Sequence, residues 1–600
     1  MKETTRSDKY STCDDDNVVC VPLNDVELNV LVSTEKYSTD EHEIKKTSLL
    51  QRKLQNVKTK VYIFLQRMLY VLSIIGTTVY LAFSISFDPP GSIFLCILYP
   101  LIIFYLSSKL THGRINSVVW NVWKTMRGKL VFTKRTRHIC RRVSTLVCVV
   151  SLAVFLIIDI WDNSDKWIPL SGLVIFLMCL FVTSESPLQV DWIPVVWGVL
   201  LQFGLGILIL RWRTGYIACK WVGDQVTILL EYTDTGSKFV FGENYILHPV
   251  AFKILPVVVF FSSIVHVLYY LGVMQVIIKA IAICLQFFMQ TTPIESFATA
   301  AHIFIGQVES CVALKPFLSR LTRSEMNSVM TSGFATVAGT VIAAYVEFGV
   351  PAEHVISASF MSAPAALAVS KLSLPETETP KIKFQKEIKI TAGREVNILE
   401  AVSVGAADAI KLVAYVVVNL IAFLAFLTLL DSSMSYLGGR VGYPQLSFQI
   451  IFSYLFMPLS RVMGVAWEDC HIVGWLIGKK LILNEFLSFA DLGQMIKDGG
   501  IADRSAVIAT YILCGFGSMA AVGINFGSLS SACPSRRGDI ATGIIRAFVG
   551  GNVACFMTAC IAGLLYRENL IMDSTILNTT TLLNTTTIWN TTSAFWNITT

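Results

Sequence analysis

The sequence predicts an all-α polytopic membrane protein, and three observations lead to that class. First, 54% of the 600 residues are apolar and only 15% are charged, whereas soluble domains carry about 25% charged residues. Second, apolar windows long enough to cross a bilayer recur along most of the chain. Third, Glu309 and Glu485 are isolated carboxylates in glycine-interrupted apolar segments. A carboxylate at membrane depth costs about 2.5–3.5 kcal/mol unless it faces a cavity or a partner, so the two acids indicate a solute site inside the membrane.

About eleven apolar windows predict transmembrane helices, and an odd number of spans places the two termini on opposite sides of the membrane. The windows lie at about 62–86, 91–107, 144–160, 168–183, 193–211, 251–273, 325–347, 354–371, 405–430, 504–528 and 539–566.

The N-terminal end is predicted to be cytoplasmic. Residues 1–60 are polar and lack the apolar stretch of a signal peptide, and leading spans follow within 61–190. Between these spans, residues 112–142 hold nine Lys or Arg and no acid. Because cytoplasmic loops are enriched in basic residues, this run is predicted to be a cytoplasmic loop rather than a nucleic-acid-binding segment.

The C-terminal tail, residues 571–600, is predicted to be extracellular and glycosylated. It contains N-x-[ST] sequons at Asn578, Asn584, Asn590 and Asn597, the acceptor pattern for N-linked glycans. Three basic residues, Arg211, Arg213 and Lys220, fall on the nominally outer side of the membrane. An amphipathic helix lying in the interface would hold them.

Two segments, at about 292–322 and 470–500, are only semi-apolar and contain helix breakers. The breakers are Pro293, Gly306 and Pro316 in the first segment and Gly474, Gly478 and Gly493 in the second. Short interrupted segments in corresponding positions of two halves indicate a transporter site near the bilayer midplane. Backbone that is not helical is tolerated at that depth only beside protein or a water-filled cavity. Both segments are therefore predicted to be re-entrant helical hairpins.

From about residue 190 to residue 566 the chain resembles the concentrative nucleoside transporter family. Its most specific matching part is the signature G-x-K-x3-N-E-F, which is present as Gly478, Lys480, Asn484, Glu485 and Phe486. Further matching stretches cover 229–243, 291–310, 330–351, 361–378 and 514–529.

The resemblance implies an ion-coupled symporter that imports nucleosides across the plasma membrane by alternating access. It also implies a homotrimer, in which residues 191–290 belong to the scaffold and residues 291–570 form an inverted-repeat transport core with two hairpins and two unwound helices. The site residues implied by the resemblance are Gln307, Val308, Glu309 and Val341 for the base, and Glu485, Phe516, Ser518 and Ala521 for the sugar. The implied partners are a nucleoside or a related small polar solute and membrane lipid, with no nucleic acid.

The coupling ion is left open between sodium and a proton. The family's sodium site uses an Asn side chain where this chain has His302. The other sodium contacts correspond to the Ile305 carbonyl, the Thr336 hydroxyl and the Val337 carbonyl. A neutral imidazole is a poor ligand for a hard cation, whereas its pKa of about 6.5 suits a proton carrier. A structural histidine hydrogen-bonded to backbone explains His302 equally well.

The solute is open as well, because three further positions depart from the family. Val308 stands where the family has Thr, and Ser518 and Ala521 stand where it has Asn and Ser. Each lost bond to a buried ligand group costs about 1–3 kcal/mol. Two alternatives therefore stand beside nucleoside import: a proton-coupled transporter of a different small polar solute, and a binding-only sensor. An enzyme is not expected, because the sequence shows no nucleophile–base pair or metal constellation. No cofactor is expected beyond the coupling ion.

Overall fold

The computed structural model describes Met68, Tyr99 and residues 70–86, 134–161, 164–248, 250–382, 395–443 and 445–567. Several predictions lie outside these residues: the tail at 1–60, the span at 91–107, most of the basic loop at 112–142 and all four sequons.

Four helices come first in the described part of the chain: α1 (Tyr70–Ser86), α2 (Lys134–Trp161), α3 (Trp167–Val182) and α4 (Trp192–Gly206). The helix α1 belongs to the first of two structural units, which ends at Cys140. Its large apolar side chains, including Leu72 and Phe83, are exposed. Exposed apolar side chains along a helix suit contact with lipid rather than water.

The next helix, α5 (Arg213–Phe241), differs from the sequence prediction. An interfacial helix was predicted near residues 211–220, and the observed helix continues to Phe241. Six charged residues within it lower the mean hydropathy of every window, so no apolar window marks it. Before this helix, Arg211 forms an ion pair with the buried carboxylate of Asp159, whose Oδ2 also lies 2.8 Å from Lys166 Nζ. A buried cation needs such a partner, and this one accounts for a basic residue at the end of a span.

Each predicted hairpin is preceded by two helices. The first hairpin follows α6 (Leu255–Tyr270) and α7 (Val273–Met289). The second follows a 43-residue helix, Ile398–Arg440, and a shorter one, Phe448–Val462.

The first predicted hairpin is present as α8 (Pro293–His302) and α9 (Gln307–Leu318). Local sequence explains its geometry: the Thr292–Glu295 capping box begins α8, and proline at the first helical position needs no N–H partner. A broken helix follows the hairpin. Its two parts are α10 (Arg323–Ala335) and α11 (Gly339–Phe348), separated by residues 336–338. The continuous helix α12 (Ala352–Ser373) completes the first half.

The second half repeats this order after α13 (Ile398–Arg440) and α14 (Phe448–Val462). Its elements are the hairpin α15 (Cys470–Ile482) and α16 (Glu485–Lys497), the broken pair α17 (Asp503–Leu513) and α18 (Met519–Ala532), and the continuous helix α19 (Arg537–Leu565). The apolar windows at 325–347 and 504–528 are therefore each interrupted by non-helical backbone.

Equivalent helices of the two halves have equivalent packing partners, some within their own half and some in the other half. Within each half, the first hairpin arm packs on the first part of the broken helix: α8 on α10, and α15 on α17. Between halves, α9 packs on α18, and α16 packs on α11. The first part of each broken helix also packs on the continuous helix of the other half: α10 on α19, and α17 on α12. This exchange confirms the predicted repeat and interlocks the two halves.

Among the described residues, six helical segments are long and apolar enough to cross a membrane, and shorter apolar helices accompany them. The six are Arg142–Trp161, Trp192–Arg211, Val250–Tyr270, Arg323–Phe348, Ala352–Ser373 and Pro534–Leu565. Together with the all-helical fold, they confirm the predicted class of polytopic membrane protein.

Candidate solute and ion site

The two helix breaks lie next to each other. A Cβ atom added to Gly515, in the second break, would lie 2.8 Å from the carbonyl oxygen of Phe334, at the end of α10. Gly515 also has φ of +144°, a backbone conformation that favours glycine. The first break contacts its hairpin directly, because the Gly339 N–H donates to the Phe304 carbonyl over 3.1 Å. The irregular backbone of both halves is thereby concentrated in one region.

The first hairpin presents Gln307 at the start of α9. Gln307 is only 7% exposed, and its Oε1 has no hydrogen-bond partner in the described part of the chain. The next residue, Val308, is 43% exposed. Glu309 lies in the same helical turn, but its side chain is outside the described atoms. A buried amide oxygen without a partner is costly, so Gln307 is a candidate for binding a ligand.

The second hairpin presents Glu485 at the start of α16. This carboxylate is buried, and its Oε2 lacks a hydrogen-bond partner within the described ranges. Aromatic rings surround the region: Tyr345 stacks on Phe489 with ring centroids 4.0 Å apart and meets Phe486 edge-on at 5.5 Å. The Asn484 side chain caps α16 by accepting from the Leu487 N–H over 3.0 Å.

A buried cation, Lys480, lies five residues before this carboxylate in the same hairpin. Its Nζ donates to the Ile512 carbonyl over 2.9 Å, at the carboxyl end of α17. A cation at that end of a helix is favoured by the free carbonyls and the helix dipole. From the sequence, Lys480 has no predicted role beyond its place in the signature. Its charge at membrane depth could have marked it as a functional or paired residue, because such a charge is costly.

The predicted ion residues lie together at the first break. His302 is buried and its Nδ1 lies 2.9 Å from Ser332 Oγ. The Thr336 hydroxyl donates to the Ser332 carbonyl over 2.8 Å, which leaves its lone pairs free to accept. The Val337 carbonyl accepts a long bond of 3.5 Å from Ser359. Ile305 is half-buried at the hairpin tip.

The residues predicted to bind the sugar, apart from Glu485, lie on and just before α18. Ser518 caps this helix, accepting from the Ala521 N–H over 3.3 Å, and both residues are buried. Phe516 is half-buried in the preceding break, and Val341 is buried one turn into α11. Sequence reasoning missed Asn525, which is buried on the same helix with an unpaired Nδ2.

Hairpins and discontinuous helices arranged in two repeats are the architecture of secondary membrane transporters. Three family models match the chain in order. They are "Na+ dependent nucleoside transporter N-terminus" over residues 171–244, "Nucleoside recognition" over 251–352 and "Na+ dependent nucleoside transporter C-terminus" over 354–563.

Relatives agree with the family models. Human solute carrier family 28 member 3 is 49% identical over 416 residues, which are 67% of this chain and 60% of the human protein. Pig sodium/nucleoside cotransporter 1 is 38% identical over 505 residues, 81% of this chain and 76% of the pig protein. The solved structure of CNTnw in an inward-facing substrate-bound state matches with a TM-score of 0.63 and 33% identity, covering 67% of this chain and 98% of that chain. The chain therefore belongs to the sodium-dependent nucleoside transporter family, as its sequence resemblance predicted, and its relatives are transporters rather than enzymes.

Proposed function

We propose that this protein is an ion-coupled symporter that imports nucleosides by alternating access, with sodium as the coupling cation. The observation that carries the proposal is the pair of unpartnered buried polar atoms, Gln307 Oε1 and Glu485 Oε2, at the starts of equivalent hairpin arms. A nucleoside has a base edge with donors and acceptors and a sugar with vicinal hydroxyls. One amide and one carboxylate suit those two ends.

Each site residue has a proposed task. Gln307 and Glu309 bind the base, with Val308 and Val341 providing apolar contact. Glu485 accepts hydrogen bonds from two ribose hydroxyls, and charge-assisted bonds are the stronger class. Phe516, Ser518 and Ala521 line the sugar end. The interlocked halves would move together as one transport core, and CNTnw structures named as inward-facing and as outward-facing match this chain at similar TM-scores, 0.63 and 0.64.

Sodium is proposed as the coupling ion because the first break offers oxygen ligands. The Ile305 and Val337 carbonyls and the Thr336 hydroxyl are the hard donors that such a cation prefers. The names of two of the three matched family models and of the pig relative also specify sodium. We further propose a homotrimer in the plasma membrane, with a cytoplasmic N-terminus and an extracellular, glycosylated C-terminus.

The test of this function is uptake of radiolabelled uridine and adenosine into cells that express the protein, with sodium replaced by choline and with pH varied. Uptake above that of empty cells, lost in choline at pH 7.4, is the expected result. Uptake equal to empty cells under every condition would overturn nucleoside transport. Sodium-independent uptake that rises on acidification would overturn sodium coupling alone.

A second candidate, proton coupling through His302, has a specific observation in its favour: the buried imidazole contacts Ser332 directly beside the proposed ion ligands. Under sodium coupling, His302→Asn adds an amide oxygen and should lower the sodium concentration for half-maximal uptake several-fold, with the pH profile unchanged. Measured sodium titrations at two pH values check this. A pH dependence that disappears in both His302→Asn and His302→Ala would instead support the proton.

The C-terminal orientation has its own test. Truncation after Tyr566 removes all four sequons of the tail and should abolish the mobility shift that glycosidase treatment produces on a gel, while uptake stays near wild type. The tail follows the last transmembrane helix, so its loss leaves the packed core intact. A glycosidase shift that survives truncation would contradict the proposed topology.

A further inference from the structure

Asn525 is a buried polar side chain near the site to which the proposed function gives no role. Asn525 lies on α18 and is 2% exposed, and its Nδ2 has no hydrogen-bond partner among the residues that the structure describes. A buried amide N–H without a partner costs about 1–3 kcal/mol. Such groups are uncommon in native proteins and call for an explanation, and a bound ligand is one explanation.

The surroundings of Asn525 point to the base end of the site. A Cβ atom built on Gly333 of α10 would lie 3.4 Å from Asn525 Nδ2 and 3.6 Å from Gln307 Oε1. The two amides therefore flank the same point, from α18 and from α9. Neither of these two atoms has a partner in the described chain, so they do not bond each other. Glycine at position 333 leaves the space beside them open.

The helical face supports the same conclusion. Ser518, Ala521 and Asn525 are spaced i, i+3, i+7, which places them on one side of α18. Asn525 thus extends the face that carries two of the proposed sugar-side residues by one further turn. All three residues are buried.

The repeat offers an independent comparison. Asn525 follows the N-cap of α18 by seven residues, and Tyr345 follows the N-cap of α11 by the same number. Tyr345 is also buried, its hydroxyl has no partner within the described ranges, and its ring packs against the second hairpin. Each repeat therefore directs an unpartnered polar group from its broken helix toward the hairpin of the other repeat.

We propose that Asn525 acts with Gln307 to bind the hydrogen-bonding edge of the nucleobase and thereby favours bases that carry a strong acceptor beside a donor. The inference rests on the proposed function. The Watson–Crick edge of every common base presents a donor beside an acceptor. Gln307 Oε1 accepts from the base N–H, and Asn525 Nδ2 donates to the neighbouring carbonyl or ring nitrogen. This bond offsets part of the polar contact missing at Val308.

The experiment compares uridine with 4-thiouridine, which keeps the N3–H donor of the base and replaces the oxygen at position 4 by sulfur, a weaker hydrogen-bond acceptor. Wild-type protein should favour uridine by about 5-fold in uptake efficiency, as expected for the weakening of one hydrogen bond. Asn525→Leu, which has the same number and branching of side-chain heavy atoms and no donor, should favour it by less than about 2-fold. The penalty for 3′-deoxyuridine, which reports on the sugar end, should stay at its wild-type value in this variant.

Two further variants complete the test. Ser531→Ala changes an exposed hydroxyl on the same helix and should retain the wild-type preference for uridine. Asn525→Ser introduces a smaller polar group and serves if the Leu variant does not reach the cell surface, with the same expected loss of base preference. Unchanged preference in an Asn525 variant at the surface would overturn the inference and leave the proposed function standing. Absence of wild-type nucleoside uptake would overturn the proposed function and the inference together.

Discussion

Glu485→Gln should reduce uridine uptake to below about 1% of wild type while the protein still reaches the cell surface. The substitution keeps the shape of a buried side chain and removes the charge that would hold two ribose hydroxyls. Hydrogen bonds to charged groups contribute about 1.5–3 kcal/mol each, so loss of two corresponds to at least 100-fold. Uptake measured together with surface biotinylation checks the prediction.

A sugar-dependent control separates binding from structure. Wild-type protein should take up uridine far better than 2′,3′-dideoxyuridine, and Glu485→Gln should discriminate little between them. Glu468→Gln, an exposed acid just before α15, should behave like wild type. If Glu485→Gln is absent from the surface and melts well below wild type, its carboxylate is required for folding, through Lys480, rather than for the sugar.

Lys371→Met should destabilise the protein strongly, because it breaks a buried ion cluster. Lys371 Nζ is buried 2.8 Å from Glu295 Oε2 and 3.3 Å from Glu376 Oε2, and it donates to Ser324 Oγ over 3.0 Å. Removing one partner of a buried pair leaves an uncompensated charge, at a cost of about 3–5 kcal/mol. We expect a melting temperature several degrees lower in detergent, measured by fluorescence-detected size exclusion after heating.

The partner substitution tests the cause. Glu295→Gln combined with Lys371→Met removes the cation and its more buried carboxylate partner and should recover part of the lost stability, because only the partly exposed Glu376 keeps its charge. Lys279→Met, at an exposed position on α7, is the matched control and should melt as wild type does. A Lys371→Met protein that melts within a degree of wild type would show that the ion cluster does not stabilise the fold.

The hairpins and helix ends could be predicted because their causes are local. Proline at position 293 and glycine at position 306 act on the backbone within a few residues, as does the Asn484 cap of α16. Both hairpins therefore lie within the predicted segments. The helix α5 was missed because its charged residues mask it in any window average. Its neighbour Arg211 is explained only by Asp159, which lies 52 residues earlier in the chain.

The candidate site shows the same division. Gln307 and Glu485 could be named from sequence because a resemblance marks them and because polar residues in apolar segments are conspicuous. Asn525 carries no such mark, since a lone Asn in a small-residue helix fits a helix–helix contact equally well. The role that we propose for Asn525 depends on two features of the tertiary structure. Its Nδ2 and the unpartnered Oε1 of Gln307 both lie beside Gly333, and the packing of α9 on α18 brings them there.

By itself, the sequence determined the membrane class, the position of the two hairpins, and the two carboxylates that we propose line a solute site. These follow from hydropathy, from backbone breakers and from the cost of charge in lipid, all of which act over short stretches. Only the tertiary structure decided which breaks adjoin, which buried charges are paired and which polar atoms stay unsatisfied. Those properties depend on contacts between residues far apart in sequence. In this fold such contacts form where α9 of the first half packs on α18 of the second, and where α16 of the second half packs on α11 of the first.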